Sequence, residues 1–501
     1  MKKSLIILLC ALFVVSAFTA CANNPQDTTP GNVSTTAAED GTETEPVETE
    51  DPNYIMDPDT VAKADQYKGE TLTILANSGF WPADDIFREK DSDDPIDSAI
   101  YNRNLAVTER YGFNIEVVED ENVQTTLKNA FKSGISDYDV AAFCAYEACP
   151  LAAENIFQDL TTIENLDLKK HYWDQGLFEG LSIDNKLFYI TGDISTKANA
   201  GTFLMMFNKK LARDYDLEDL YQVVREDRWT LDYLNGIIKE HGYQDRNGNS
   251  QVDVEDTFGF GIQIEAYLAL FFGAGGRMVL KDADQMPYLD LNTEKNIAII
   301  DKIYDLTRLD NKTIDAHDHL TEPPYSTGEG FASTVAFKQD RCIFYLSNAA
   351  NIIGLREMDS DFGVLPTPKY DSSQKDYYSY VYHGAALYVI PVMNKRTAFT
   401  GFALEALAAE SYKTVTPAYY EQTLKRKSQR DADSWDMLDI VFRNRLWDLG
   451  YYASWGNIDN LFIQQIKKGT GSFAKWYKSQ SKSTTKAIDK YVKAYKESAE
   501  K

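Results

Sequence analysis

The sequence predicts an α/β fold, because short apolar runs alternate with helical patterns once the chain passes about residue 67. Three runs have the character of strands: residues 72–75, residues 113–117 and residues 138–143. Two helical patterns separate them. The order strand, helix, strand, helix, strand is typical of a sheet with crossover helices packed on its faces.

The first strand and the helix after it carry clear local signals. Residues 72–75 are apolar or β-branched, and a loop containing Trp81 follows them. Asp97 can cap the next helix, which stops at Gly112.

The second and third strands differ in their pattern. In 113–117 apolar and polar residues alternate, which predicts a half-exposed strand. A helix over 123–133 then leads to 138–143, an apolar run bounded by turn residues. Such a run favours a buried parallel strand.

The amino terminus has the features of an export signal. Lys2 and Lys3 precede a nearly wholly apolar run over 5–18, which is short for a membrane span, and small residues precede Cys21. This order resembles a bacterial lipoprotein signal, in which Cys21 becomes the lipidated first residue of the mature protein. An ordinary secreted signal cut near Ala20 is the alternative. Either signal predicts a protein that works outside the cytoplasm, and the lipoprotein signal predicts the outer face of the bacterial cell membrane.

An acidic spacer is predicted to follow the signal. From Ala22 to Thr60 there is no Lys or Arg, and Thr, Glu, Asp, Pro and Asn dominate. Such a segment cannot bury enough apolar surface to offset the entropy of ordering, so we expect an extended, solvated linker. The predicted organisation is therefore a signal peptide over 1–20 and a lipidated cysteine with a disordered linker over 21–65.

Composition bounds the rest of the chain. The formal net charge of -26 argues against nucleic acid as a partner, because neutralising phosphates requires a basic face. No later apolar run reaches the roughly 18 residues of a membrane span, so the lipid anchor is the only membrane contact expected.

The cysteines do not form a disulfide framework. Cys10 lies in the signal and Cys21 at the processing site, which leaves Cys144, Cys149 and Cys342, an odd number. Local pairing of Cys144 with Cys149 and three buried thiols both remain open.

Aromatic residues are more informative. The chain has 31 Tyr and 7 Trp, whose flat apolar faces and polar tips suit stacking on sugar rings. Ordinary amphipathic packing is the alternative for most of them.

A series of short segments resembles the extracellular solute-binding proteins that feed ABC importers, the type that includes maltose-binding and other oligosaccharide-binding proteins. Asn185 and Asp340 stand where that family has glycine. The segments, in order, are 106–112, 152–160, 184–190, 203–211, 337–344, 361–368 and 383–391. Apolar helix faces follow at 399–407 and at Trp435, Leu438, Phe442 and Leu446.

The resemblance implies a two-lobed periplasmic-binding-protein type II fold, each lobe a mixed sheet flanked by helices and joined by multiple crossovers. By analogy, lobe one comprises 66–195 and 380–450, and lobe two comprises 196–379 and 451–501. It also implies ABC importer permease subunits as partners, an oligosaccharide ligand and a monomer.

One stretch has the spacing of a calcium loop. Oxygen ligands fall at loop positions 1, 3, 5, 7, 9 and 12, and position 7 contributes its backbone carbonyl. Ser250 replaces the usual glycine at position 6, and the shorter aspartate stands at position 12. The alternative is a polar Asn-Gly turn. The candidate ligands of a structural Ca²⁺ are Asp245, Asn247, Asn249, Gln251, Asp253 and Asp256.

Signals for catalysis are weak. No nucleophile elbow, phosphate-binding loop or His-Glu-x-x-His motif occurs. His317 and His319 flank Asp318, which is more typical of a solvated loop than of a metal site. We therefore predict no enzyme. The alternative is a secreted polysaccharide-degrading enzyme that uses the Asp245 loop for calcium.

Ligand-binding candidates lie at strand ends and crossovers, where open α/β sheets bind ligands. Aromatic side chains there would stack on sugars, and Asp and Asn would bind hydroxyls. The candidates are Trp81, Tyr146, Asp193, Tyr345, Asn348, His383 and Trp455.

Overall fold

The computed structural model describes residues 51–52, 55–79, 84–135, 137–308, 312–355, 357–424 and 432–498. These residues belong to one compact unit. The predicted signal peptide, the predicted lipidation site Cys21, most of the predicted spacer and Trp81 lie outside the described residues.

Fourteen strands occur in the described part of the chain. They are β1 (Thr71–Asn77), β2 (Asn114–Asp120), β3 (Val140–Cys144), β4 (Phe203–Asn208), β5 (Tyr243–Gln244), β6 (Thr257–Ile262), β7 (Val279–Lys281), β8 (Pro287–Leu289), β9 (Thr313–Asp315), β10 (Cys342–Asn348), β11 (Phe362–Leu365), β12 (Ser379–Tyr380), β13 (Ala386–Val389) and β14 (Arg445–Leu446).

Nineteen α-helices accompany them within the same residues. They are α1 (Pro58–Val61), α2 (Pro95–Tyr111), α3 (Val123–Ser133), α4 (Ala145–Leu151), α5 (Gln175–Leu181), α6 (Thr196–Gly201), α7 (Lys209–Asp214), α8 (Leu220–Arg225), α9 (Leu231–His241), α10 (Ala266–Gly273), α11 (Glu294–Arg308), α12 (Ala332–Lys338), α13 (Ala350–Gly354), α14 (Thr397–Lys413), α15 (Val415–Leu424), α16 (Ala432–Arg443), α17 (Leu449–Tyr452), α18 (Ile458–Ile466) and α19 (Phe473–Ser498).

The first sheet has the strand order β13-β3-β1-β2. Strand β1 pairs parallel with both β2 and β3, and β13 pairs antiparallel with β3. Helices α2 and α3 form the crossovers between the parallel strands. The three strands and two helices predicted from the local patterns are therefore confirmed.

The cap of α2 differs from the prediction. Asp94, not Asp97, accepts the backbone N–H groups of Ile96 (2.9 Å) and Asp97 (3.1 Å). Pro95 explains the shift, because proline fits the first helical position, where the missing N–H costs nothing. The helix ends as predicted at Gly112, whose φ is 77°.

The second sheet has the strand order β11-β4-β10-β6-β5, with β9 paired to β6. Strand β10 runs antiparallel to β4 and parallel to β6. All residues of β4, β6 and β10 are buried, so this sheet is covered on both faces. The fold is thus a mixed α/β fold with two principal sheets.

Two departures from the family's glycine positions have a backbone explanation. Asn185 has a φ of 58° and Asp340 a φ of 55°. Both lie in the left-handed region, which glycine adopts freely and which Asn and Asp tolerate better than other residues. The substitutions therefore retain the turn that glycine would make.

The predicted apolar face at Trp435, Leu438, Phe442 and Leu446 is only partly correct. Leu438 and Phe442 are buried, whereas Trp435 is exposed. Helix α16 ends at Arg443, and Leu446 belongs to β14. The helical pattern extends past the helix because a strand begins two residues later.

The two principal sheets fall in the residue ranges predicted for the two lobes, and the exact boundaries stay a prediction. The carboxyl-terminal helix α19 packs against the turn at residues 152–154 and against β8. Its Tyr495 hydroxyl donates to the Lys186 carbonyl at 2.8 Å. Part of the segment assigned to lobe two therefore contacts residues assigned to lobe one.

The remaining cysteines are buried thiols. Cys144, Cys149 and Cys342 are at most 1% exposed, and Cys144 and Cys149 are not joined by a disulfide. Among the described residues, the helices are too short or too polar to cross a bilayer.

Candidate functional site

Three chain segments lie side by side next to the principal sheets. The first connection (residues 182–202) precedes β4, the second connection (366–385) leads from β11 to β13, and the third connection (444–448) follows α16. In the first, Thr202 forms a bridge with Val381 of the second. The backbone N–H of Tyr382 donates to the carbonyl of Gly201 at 2.8 Å. The third connection contributes β14, which pairs parallel with β12 of the second. The second connection is therefore held between the other two.

The second connection also contacts the end of β3. The N–H of Ala145 donates to the carbonyl of Ala385 at 3.0 Å, and that of Tyr146 donates to the carbonyl of His383 at 3.2 Å. The rings of Tyr146 and His383 lie 5.1 Å apart. Tyr146 and His383, which are distant in the sequence and were predicted independently as ligand contacts, are thus in contact in the fold.

His383 is the centre of a ring cluster, the His383 cluster, formed by Tyr146, Tyr382, His383 and Tyr451. The imidazole stacks on Tyr451 at 5.2 Å with an angle of 9° between the planes, and lies 4.5 Å from Tyr382. Tyr451 is buried and accepts hydrogen bonds from the Tyr380 hydroxyl and the His383 N–H. Tyr146 is 42% exposed and offers a ring to solvent.

The His383 cluster is uncharged at neutral pH. Burial lowers the pKa of His383 to about 4, so its imidazole is neutral. Burial, followed by the charge of Glu265, raises the pKa of Tyr382 to about 12. The cluster therefore offers neutral aromatic surface, one imidazole and hydroxyl groups.

A carboxyl group from the second sheet lies near this cluster. Glu265 follows β6 and acts electrostatically on the hydroxyls of Tyr382 and Tyr451. Burial raises the pKa of Glu265 above its usual value. Because Glu265 follows β6 of the second sheet and Tyr146 follows β3 of the first, a molecule that touched both would bridge the two sheets.

A second group of rings lies beside Glu265. His317 follows β9, close enough to Glu265 to interact electrostatically. Its ring stacks on Phe331 at 5.9 Å, and Phe331 stacks on Tyr325 at 5.0 Å. The Nδ1 atom of His317 is buried and has no hydrogen-bond partner among the described residues. Of the two histidines that flank Asp318, His317 thus lies near the candidate site.

Two other predicted ligand contacts lie in the second sheet. Asn348 ends β10, and its Oδ1 accepts from Asn351 at 2.8 Å. Tyr345 is fully buried, and its hydroxyl contacts Gln263 at 2.9 Å and Thr334 at 2.8 Å. In this conformation Tyr345 supports the sheet and has no free face for a ligand.

The last two predicted contacts lie away from the His383 cluster. Trp455 is buried and packs edge-on against Tyr491 at 5.2 Å. Asp193 lies beside α15, where the Thr416 hydroxyl donates to it at 2.7 Å. Burial raises the pKa of Asp193 to about 7.

Sequence reasoning missed Tyr382, Tyr451 and Glu265. Tyr382 adjoins His383 in the chain, so its position at a crossover is the signal that could have found it. Glu265 follows a buried strand, as the predicted candidates do. Tyr451 carries no comparable signal, because only the fold brings it to His383.

The Asp245 loop joins β5 to β6. The Asp245 carboxylate accepts the N–H groups of Gly248 (2.7 Å) and Ser250 (2.9 Å). Ser250 has a φ of 59°, so it makes the turn for which calcium loops use glycine. Asp256 accepts the N–H of Arg246 at 3.1 Å and the Tyr243 hydroxyl at 2.9 Å.

In the described part of the chain, no group of three or more His, Cys, Asp or Glu side chains is placed to hold a metal. A cation in the Asp245 loop would therefore need amide and backbone oxygens as well as carboxylates. The loop contains two asparagines and the Gln251 carbonyl, which are oxygen ligands of the kind that Ca²⁺ accepts.

Comparison with known proteins gave matches only at the level of structure. No family model matches the chain, and no curated protein matches it. M. tuberculosis UspC aligns with a TM-score of 0.54 at 13% identity, covering 83% of this chain and 100% of its own. A cyclo/maltodextrin-binding protein complexed with maltotetraose aligns with a TM-score of 0.52 at 14% identity, covering 86% of this chain and 97% of its own. The predicted resemblance to solute-binding proteins is confirmed as a shared fold.

Proposed function

We propose that this chain is the extracellular substrate-binding subunit of an ABC importer and that it captures an oligosaccharide by hinge closure. The observation that carries the proposal is the position of the His383 cluster. It lies where the connections between the sheets meet, and Glu265 of the second sheet acts electrostatically on it.

The chemistry of the site favours a sugar. The exposed ring of Tyr146 offers an apolar face for a pyranose, and the neutral His383 adds no charge. Carboxyl and amide groups such as Glu265 and Asn348 can bind sugar hydroxyls. Apolar walls with a few polar groups are the usual make-up of small-molecule sites.

The connections between the sheets support hinge closure. A ligand that contacts Tyr146 on one side and Glu265 on the other binds the closed form more tightly than the open form. Such a ligand shifts the population toward closure, because it can move the equilibrium only by its difference in affinity for the two states. The cyclo/maltodextrin-binding protein complexed with maltotetraose, which has the same fold, supports this choice of ligand class.

The cellular setting is part of the same proposal. Lipidation at Cys21 would hold a monomer at the outer face of the membrane, and the acidic spacer would keep the folded part clear of it. The permease subunits of the importer would then receive the sugar. Labelling of cells with a radioactive fatty acid tests the anchor, since a Cys21→Ser variant should lose the label.

Calcium belongs to the proposal as a structural ion. The oxygen atoms of the Asp245 loop would hold it, with Asp245 and Asp256 at the two ends. It would brace the connection between β5 and β6, and no binding step would depend on its chemistry.

The proposal is tested by calorimetry with a panel of malto-, cello- and galacto-oligosaccharides. We call the proposed site between the His383 cluster and Glu265 the cleft. Saturable binding of a glycan in the cleft is expected, and Tyr146→Ala should weaken it at least tenfold. Tyr288→Ala is the matched control, because Tyr288 is 44% exposed and lies on β8, outside the His383 cluster. Equal affinity in the two variants would count against the cleft as the binding site.

The same panel separates binding from turnover. A reducing-end assay should detect no sugar release. Release at a rate proportional to the protein concentration would favour the alternative, an enzyme, over a receptor. Small-angle scattering should show a more compact particle with the bound glycan. A shape that is unchanged by a saturating glycan would exclude hinge closure.

A further inference from the structure

An open groove of about 830 Å³ lies between α15 and α16 and the first and third connections. Asp193 and Asn199 line it from the first connection, Tyr420 from α15, and Trp435 and Asp439 from α16. This volume is within the range of small-molecule sites, roughly 300–1,000 Å³. The groove is therefore large enough for a ligand of several rings.

None of the residues that line the groove belongs to the His383 cluster. On the side of α6, the groove is lined by Asn199, which accepts a hydrogen bond from Arg445 of the same groove. The groove is thus a separate surface and not an extension of the cleft.

One wall of the groove is aromatic. Tyr420 and Trp435 stack with ring centroids 5.3 Å apart and an angle of 26° between the planes. Trp435 is 37% exposed on a helix whose pattern predicts a core position for it. Tyr412 and Phe442 line the same groove. An exposed indole supported by a second ring is a suitable platform for the apolar face of a sugar.

The groove is lined by both negatively and positively charged groups. Asp193 accepts from Thr416, and Asp439 forms an ion pair with Arg443 at 2.8 Å. Arg445, paired with Asp174, adds a second guanidinium. Because both guanidiniums are paired with carboxylates, the groove does not select an ion of one sign. It offers acceptors and donors to a neutral molecule with many hydroxyls.

We infer that this groove is a second binding site, and that its ligand is a neutral polyhydroxylated molecule such as a short oligosaccharide. Trp435 stacks on one ring of the ligand, while Asp439, Arg443 and Asp193 bind its hydroxyls. The inference is independent of the proposed cleft function, because none of these residues belongs to the His383 cluster.

Calorimetry with maltotetraose, raffinose and cellotetraose tests the groove in the folded chain from residue 51 onward. At least one probe should bind the wild-type protein with two ligand equivalents per chain. Trp435→Ala should leave one equivalent, and so should Asp439→Ala, which leaves the indole in place and serves if Trp435→Ala misfolds. The double variant Tyr146→Ala/Glu265→Gln should retain binding in the groove and lose binding in the cleft. Circular dichroism checks that each variant is folded.

The outcomes separate the two proposals. One equivalent that the cleft variant abolishes and both groove variants leave intact would overturn the groove and support the cleft. One equivalent that both groove variants abolish and the cleft variant leaves intact would support the groove and overturn the cleft. Absence of binding by all three probes at millimolar concentration would overturn the groove as an oligosaccharide site.

Discussion

Arg445 and Asp174 form a buried ion pair between the third connection and the segment that precedes α5. The Nη1 atom of Arg445 donates to Oδ2 of Asp174 at 3.0 Å, and the side chains are 9% and 4% exposed. The same guanidinium donates to Oγ1 of Thr202 at 3.2 Å and to Asn199. Arg445 therefore joins two of the three connections between the sheets.

We expect Arg445→Met to destabilise the fold by about 3–5 kcal/mol, because it leaves the charge of Asp174 buried without its partner. Urea unfolding followed by circular dichroism measures the loss. Arg228→Met is the matched control: Arg228 also pairs with a carboxylate, Glu218 at 2.7 Å, but is 41% exposed. The control should cost about 0–1 kcal/mol. Similar losses in the two variants would mean that the buried pair has no special role.

The first sheet could be predicted because its signals are local. Each apolar run predicts its own strand, and Gly112 predicts the end of the first helix. The crossover rule then places the strands side by side. The turn over residues 245–256 could also be predicted, since its pattern fits within twelve residues, whereas a calcium ion there stays a prediction. Asp97 was the wrong cap because Pro95 sets the start of α2.

The His383 cluster could be predicted only in part. Tyr146 and His383 stand at strand ends, where function is expected, and so they were nominated. Their contact with Tyr451 depends on how the third connection pairs with the second, and nothing in the sequence around residue 451 encodes that. Tyr345 was predicted by the same rule, but it lies in the middle of β10 and not after it, and the sheet is covered on both faces there.

Stability should fall as the pH rises from about 5 to about 8. Burial raises the pKa of Glu405 to about 7, although Tyr172 and Trp173 donate to its carboxylate. The unfolded value is about 4.3. Between these values the folded state binds more protons, so the free energy of unfolding decreases with pH. The raised pKa values of Asp193 (about 7) and Asp448 (about 6) act in the same direction.

Thermal unfolding over this pH range measures the effect. Glu405→Gln should reduce the slope of melting temperature against pH, because the group that titrates is removed. Glu109→Gln, at an exposed position on α2, should leave the slope as it is in the wild type. An unchanged slope in Glu405→Gln would show that Glu405 is ionised in the folded protein at both ends of the range.

Calcium should raise the melting temperature of the protein. The loop supplies oxygen ligands from both ends, and binding to the folded state alone stabilises it by mass action. The double variant Asp245→Ala/Asp256→Ala should lose the shift, whereas Asp284→Ala, in the exposed turn between β7 and β8, should keep it. Magnesium at the same concentration should give a smaller shift, because Mg²⁺ loses its own waters reluctantly and demands near-ideal octahedral geometry. No shift with excess calcium, or an equal shift in the loop variant, would favour the polar turn.

The three thiols of the folded part should not react with Ellman's reagent in the native protein. Cys144, Cys149 and Cys342 are buried, and burial raises the pKa of each thiol, so the reactive thiolate is rare and inaccessible. In denaturant without reductant, a chain that begins at residue 51 should release three equivalents. One equivalent would instead indicate a Cys144–Cys149 disulfide, which the structure does not form. Cys342→Ala should lower the count by one, and this variant calibrates the assay.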